Sequence, residues 1–164
     1  LRSFYQHFDG KHELLLALFE DALRRATAQI AAAASGQDSP AAALKTAVQL
    51  LFELSRPDPA ARRPLFTDFA PQLLLSHPAE VRRAHAPLLD LLASLTASAA
   101  AAGQLRPGTE PRRAAALTME TVMFTAQTSG APADPEGGDG PGGTARPVTA
   151  DEIWSFVAHG IISA

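Results

Sequence analysis

Apolar residues recur at spacings of three and four along most of the chain, between breaks rich in Gly and Pro, and this pattern predicts a succession of amphipathic helices. The first stretch opens with a short helix on which Phe4 and Phe8 share one face, while Arg2, Ser3, Gln6 and His7 leave another face polar. Asp9-Gly10 predicts a break, because Gly10 can serve as an N-cap, Lys11 can begin a new helix, and Glu13 then stands where a carboxylate favours the free N–H groups. Two helices are therefore expected to meet at a sharp corner. The second carries Leu15, Leu18, Phe19, Ala22, Ala26 and Ile30 on one side, keeps Glu20, Asp21, Arg24 and Arg25 on others, and stops before Ser35-Gly36.

Ser39-Pro40 supplies an N-cap followed by proline at the first helical position, and the next helix runs through Leu44, Val48, Leu51 and Phe52 to Ser55. Residues 59–75 contain Pro64 and Pro71, each of which removes a backbone donor, so short kinked pieces are expected there, presenting Phe66, Phe69, Leu73 and Leu74. A helix restarts at Ser76-His77-Pro78 and continues through Val81, Leu88, Leu91, Leu92 and Leu95, with a kink expected at Pro87. Thr109-Glu110-Pro111 opens another, ending near Gly130. Residues 131–148 hold five Gly and four Pro among eighteen positions and read as a flexible loop. Thr149 and Glu152 then form a capping box, with Val148 placed to staple onto Ile153, and a final helix carries Ile153, Trp154, Phe156, Val157, Ile161 and Ile162.

Composition agrees with an all-α class, since Ala and Leu dominate and β-branched and aromatic residues are sparse. The 164 residues are one domain's worth and long enough to bury a core. A net charge of −3 argues against nucleic-acid binding by the bulk of the chain, so any such contact must be local. With no cysteine, disulfides, thiol catalysis and cysteine-based metal sites are excluded. No apolar run is long enough to span a bilayer and no signal-peptide pattern is present, which makes a cytoplasmic protein the simplest expectation.

The run Phe4-Tyr5-Gln6-His7-Phe8-Asp9-Gly10-Lys11-His12-Glu13-Leu14-Leu15 resembles the junction between the recognition helix and the fourth helix of TetR-family transcriptional regulators. The closing TADEIWSFVAHGI adds a second, weaker resemblance to the final helix of that family. The resemblance implies that Tyr5, His7 and Lys11 contact DNA phosphates, and that Arg2, Ser3 and Gln6 face base edges. It also implies a TetR-like multi-helix fold that dimerises through its last two helices, a palindromic operator, and a repressor released by a small hydrophobic effector. Residues 1–10 would be the end of a helix-turn-helix domain and 11–164 the ligand-binding and dimerisation domain. A recognition helix needs a supporting helix and a turn before it, and neither precedes Leu1, so the chain reads as a piece of a longer polypeptide that would bind an operator poorly by itself.

Within the body, Phe52, Phe66, Phe69, Leu73, Leu92, Met119 and Phe124 come from successive helical segments and could enclose an apolar cavity, with Glu120, Gln127 or a threonine hydroxyl as its few polar groups. Singly, each is more often an ordinary core residue; the proline-bent segment tips the group slightly towards a cavity, because kinked helices cannot pack continuously. Thr118, Thr121, Thr125 and Thr128 make a stripe of small polar residues, suited either to close helix packing or to lining a pocket with hydroxyls. Glu120 is either partnered at an interface, available to a ligand, or simply exposed at an edge.

Catalytic readings find little support. Gly138-x-Gly140-x-x-Gly143 matches a dinucleotide fingerprint literally, yet no strand precedes it, Pro141 interrupts it and no helix follows at once. His7, His12, His77, His85 and His159 lack metal-ligand spacing, and Ser76-His77 with Asp68 lacks a strand-turn-helix elbow. The expectation is a regulator and not an enzyme, with no cofactor, metal or membrane partner. An all-α interaction module without small-molecule sensing is the alternative.

Overall fold

α1 spans Arg2–Ser35 as one helix of 34 residues, about 50 Å at 1.5 Å per residue. The computed structural model describes residues 2–57, 75–129 and 146–163, with side chains from residue 13 onward. The corner expected at Asp9-Gly10 is absent, because the helix runs through both positions. An interior glycine costs a helix only about 1 kcal/mol relative to alanine, whereas a break there would add a second nucleation cost. The core-facing stripe is Phe19, Leu23, Ile30 and Ala34, with Leu15 and Leu16 packed beside it. Leu18, expected inside, is 39 % exposed, and Leu23 takes the buried position one turn on from Phe19.

α2 (Pro40–Ser55) is the central helix and packs against each of the others described below as well as α1. Ser39 caps it as the sequence suggests, its hydroxyl accepting from the Ala42 N–H at 3.1 Å. Ala43, Leu44, Ala47, Val48, Leu51, Phe52 and Ser55 are all buried, a broad apolar surface that serves several neighbours at once.

α3 (Pro78–Ala101) continues through Pro87 and buries Val81, Leu88, Leu92, Thr96 and Ala99. The Thr96 hydroxyl donates to the Leu92 carbonyl at 2.7 Å, which satisfies a polar group inside the core. Gly103 ends the helix in the left-handed region at φ +70°, a conformation with no steric penalty for glycine.

α4 (Pro111–Thr128) is capped by Glu110, whose carboxylate accepts from the N–H groups of Arg112 at 2.9 Å and Arg113 at 2.7 Å. α5 (Ala150–Ile161) starts from the expected capping box: Thr149 N–H donates to Glu152 at 2.9 Å, and Thr149 Oγ1 accepts from Glu152 N–H at 3.3 Å. Val148 packs onto the core that contains Ile153, as the staple predicts. Arg146 pairs with Glu152. The last three residues of the Gly/Pro-rich stretch thus form the lead-in to α5, and 130–145 lie outside the described residues, as do 58–74 with Phe66, Phe69 and Leu73.

Among the described residues the fold is all-helical, apart from one antiparallel bridge between Leu105 and Ile162. No helix there is long and apolar enough to cross a membrane.

Candidate functional site

The last two helices, through which the resemblance implies dimerisation, barely touch each other within the chain. α5 lies instead against α2, burying Ile153 and Val157 and tucking Trp154, Ile161 and Ile162 against the core. Most of the apolar surface of α5 is therefore already covered within the chain, and Phe156 is its one large apolar side chain left out, 68 % exposed.

On α4, core positions Ala115, Met119, Val122 and Ala126 recur at helical spacing and face α2 and α3. Leu117 and Phe124 stand seven residues apart on the opposite side, 59 % and 70 % exposed. Together with Phe156 they leave three large apolar groups in water on two neighbouring helices. A groove of about 630 Å³ runs between α4 and α5, floored by Ala114, Leu117, Thr118 and Thr121 on one side and by Phe156, Val157 and Gly160 on the other. Glu110 and Arg113 stand at the α4 start of the groove and His159 on its α5 wall. His159 Nδ1 donates to the Ser155 carbonyl at 2.6 Å. A Cβ built on Gly160 meets nothing within 4 Å, so the groove is open there.

The proposed cavity set is divided by this arrangement. Phe52 and Leu92 are completely buried and Met119 nearly so, all within one packed core. Phe124 and Glu120 are exposed on the outer side of α4, away from the core that holds Phe52, and Gln127 is half-buried. The physical reason is the rotation per residue: positions 117, 120 and 124 share the face opposite 115, 119, 122 and 126. The threonine stripe drifts from inside to outside, with Thr118 buried and Thr128 in solvent, where its hydroxyl donates to the Phe124 and Thr125 carbonyls. Thr118 and Thr121 line the groove.

The sequence reading missed the groove residues Arg113, His159 and Gly160, because a groove needs two helices that are near but apart, and no periodicity encodes that distance. The usable signal was the second apolar row of α4, Leu117 and Phe124, on the side away from the core row. The backbone of Arg2, Ser3, Tyr5, Gln6 and His7 lies in the first turns of α1, followed by Lys11, and their side chains lie outside the described residues.

Among the described residues no three His, Asp or Glu side chains gather into a metal-binding group. Glu152 has a displaced acidity: hydrogen bonds from the Thr149 backbone and hydroxyl, aided by the Arg146 charge, hold its carboxyl below the ordinary glutamate value. It belongs to the α5 cap and not to the groove. Compared with known proteins, the chain matches no family model, no curated protein and no solved structure.

Proposed function

We propose that this chain is the ligand-responsive, dimerising body of a DNA-binding transcriptional regulator similar to the TetR family. In this reading it works as a homodimer on a palindromic operator and is released by a small hydrophobic effector. The observation that carries it is the exposure of Leu117, Phe124 and Phe156 on α4 and α5, the two helices through which the family resemblance implies dimerisation. Apolar groups of that size in one region mark an association surface. The residue pattern from Phe4 to Leu15 is the basis of the DNA-binding part of the proposal, and the unbroken course of α1 through Asp9-Gly10 counts against it.

The unbroken α1 suits the mechanism. Phe19, Leu23 and Ile30 fasten it to α2 and α3, while its first turns carry Arg2, Tyr5, Gln6, His7 and Lys11. A straight helix of about 50 Å acts as a lever, so a tilt of about 5° about its middle moves an end by about 2 Å. An effector with different affinities for two packings of α1 against α3 would shift that tilt in both protomers and change the separation of their DNA-contacting ends.

Selection from a random duplex pool with the protein as its gene encodes it tests this reading. Enrichment of a palindromic site, lost on adding an apolar effector, supports it; enrichment of no sequence overturns it. The second reading, an all-α interaction module without small-molecule sensing, is favoured by the full burial of Phe52 and Leu92 in a packed core. A ligand screen by thermal shift separates the two, because a specific effector raises the melting temperature only of a protein with a site for it.

A further inference from the structure

One helix is fastened differently from the rest. α1, α2 and α3 pack against one another, and α4 packs against α2 and α3, so each of these four has at least two partners. Among the described residues α5 has one helical neighbour of any extent, α2, and scarcely meets α4. Its start is capped by its own Thr149 and Glu152, so that cap does not depend on the body.

Beyond the apolar contacts of Ile153, Trp154, Val157 and Ile161, what ties α5 down is polar and lies at its two ends. In the first turn Asp151 accepts from Gln49 of α2 at 2.7 Å. At the far end the connection from α3 to α4 grips the chain: Arg106 N–H donates to the Ile161 carbonyl and Ser163 N–H to the Gln104 carbonyl, both at 2.9 Å. Arg106 Nε donates to the Ile162 carbonyl at 3.1 Å and Ser163 Oγ to the Leu105 carbonyl at 2.8 Å. The connection belongs to the body, because Leu105 is buried and Gln104 Oε1 accepts from the Ala41 N–H at the start of α2.

We propose that α5 is a strap that leaves the body as one unit while α1 to α4 stay folded, with Arg106 and Ser163 as its buckle. A helix with one neighbour loses fewer apolar contacts on leaving than any of the other four, so its release needs less free energy than opening the body. Released, its 12 residues are too few to hold a helix in water, and the strap unfolds as it leaves. The groove between α4 and α5 exists only in the buckled form, since Phe156, Val157 and Gly160 make one wall of it and depart with α5. The strap is thereby a switch for that groove. A single chain suffices for it, and no second copy enters.

Trp154, the single tryptophan, is half-buried against the core on α5, so its fluorescence reports the strap, while far-UV circular dichroism reports mostly α1 to α4. In urea unfolding of the 164-residue chain the fluorescence midpoint should precede the dichroism midpoint by about 0.5 M or more. Coincident midpoints show one cooperative unit and overturn the strap. Arg106→Ala/Ser163→Ala keeps the two backbone bonds and should lower the fluorescence midpoint by a further ~0.5 M, with the dichroism midpoint unchanged. Equal movement of both curves, or of neither, overturns the buckle. Gln49→Ala loosens the opposite end and should lower the fluorescence midpoint alone, which keeps the test decisive if the double variant folds poorly. Native-state amide exchange separates release from fraying: the hydrogen-bonded amides of α5 should share one rate, at least about tenfold faster than those of α2 and α3. Rates graded inward from Ile161 overturn release as a unit.

Discussion

Gln49 Nε2 donates to Asp151 Oδ1 at 2.7 Å, joining the middle of α2 to the first turn of α5 across 102 residues of chain. Both side chains can reach water, so the bond directs α5 onto α2 more than it stabilises the fold. A double-mutant cycle with Gln49→Ala and Asp151→Ala, followed by denaturant unfolding, should give a coupling of about 0.5 kcal/mol. Zero coupling would show that apolar packing alone orients the helix.

The capping box makes the stability of α5 depend on pH. Because the Glu152 carboxyl is held below its ordinary value in the folded chain, the folded state releases this proton more readily than the unfolded one. The associated stability is fully present above the ordinary glutamate value and is lost as the pH falls through the lowered folded value. Glu152→Gln should remove that part of the acid slope in pH-dependent unfolding, and an unaltered slope would assign it to other carboxylates. Thr149→Ala should cost about 1 kcal/mol, as the loss of an N-cap does elsewhere.

Leu92 and Phe124 should respond oppositely to truncation. Leu92→Ala empties a completely buried site and should cost about 3 kcal/mol in chemical denaturation. Phe124→Ala removes a side chain that is 70 % exposed and should change monomer stability by less than about 0.5 kcal/mol. Equal effects would place Phe124 against a surface of the chain outside the described residues.

On the groove, Phe156→Ser should leave the monomer folded and, in the dimer proposed above, raise the dissociation constant at least tenfold, read by sedimentation. Gly160→Ala adds a methyl that meets no atom of its own chain and should stabilise the dilute monomer by about 0.5 to 1 kcal/mol. Weaker association of this variant would show that the partner approaches closest at Gly160.

Local chemistry was legible without coordinates. Ser39, Glu110 and the Thr149/Glu152 box declared three helix starts, since a cap is satisfied by the backbone within three residues of it. The core row of α2 likewise followed from spacing, because α2 is enclosed by neighbours and its apolar face has one possible destination. Gly10 was misleading for the complementary reason: a glycine permits a break, but whether one occurs depends on energies summed along the whole of α1.

Tertiary placement decided the rest. Phe52 and Phe124 are chemically alike, and only the direction of the α4 side chains relative to α2 separates a buried core residue from an exposed one. The apolar residues of the final helix are mostly covered by α2, which leaves Phe156 out, an outcome governed by which helix arrives beside it. The bonds of Gln104, Arg106 and Ser163 to Ala41, Ile162 and Leu105 join residues more than fifty positions apart, and the groove brings together residues of α4 and α5 that are distant in sequence. Periodicity reports which face of a helix is apolar, while the neighbour that face meets is chosen by packing of the complete chain.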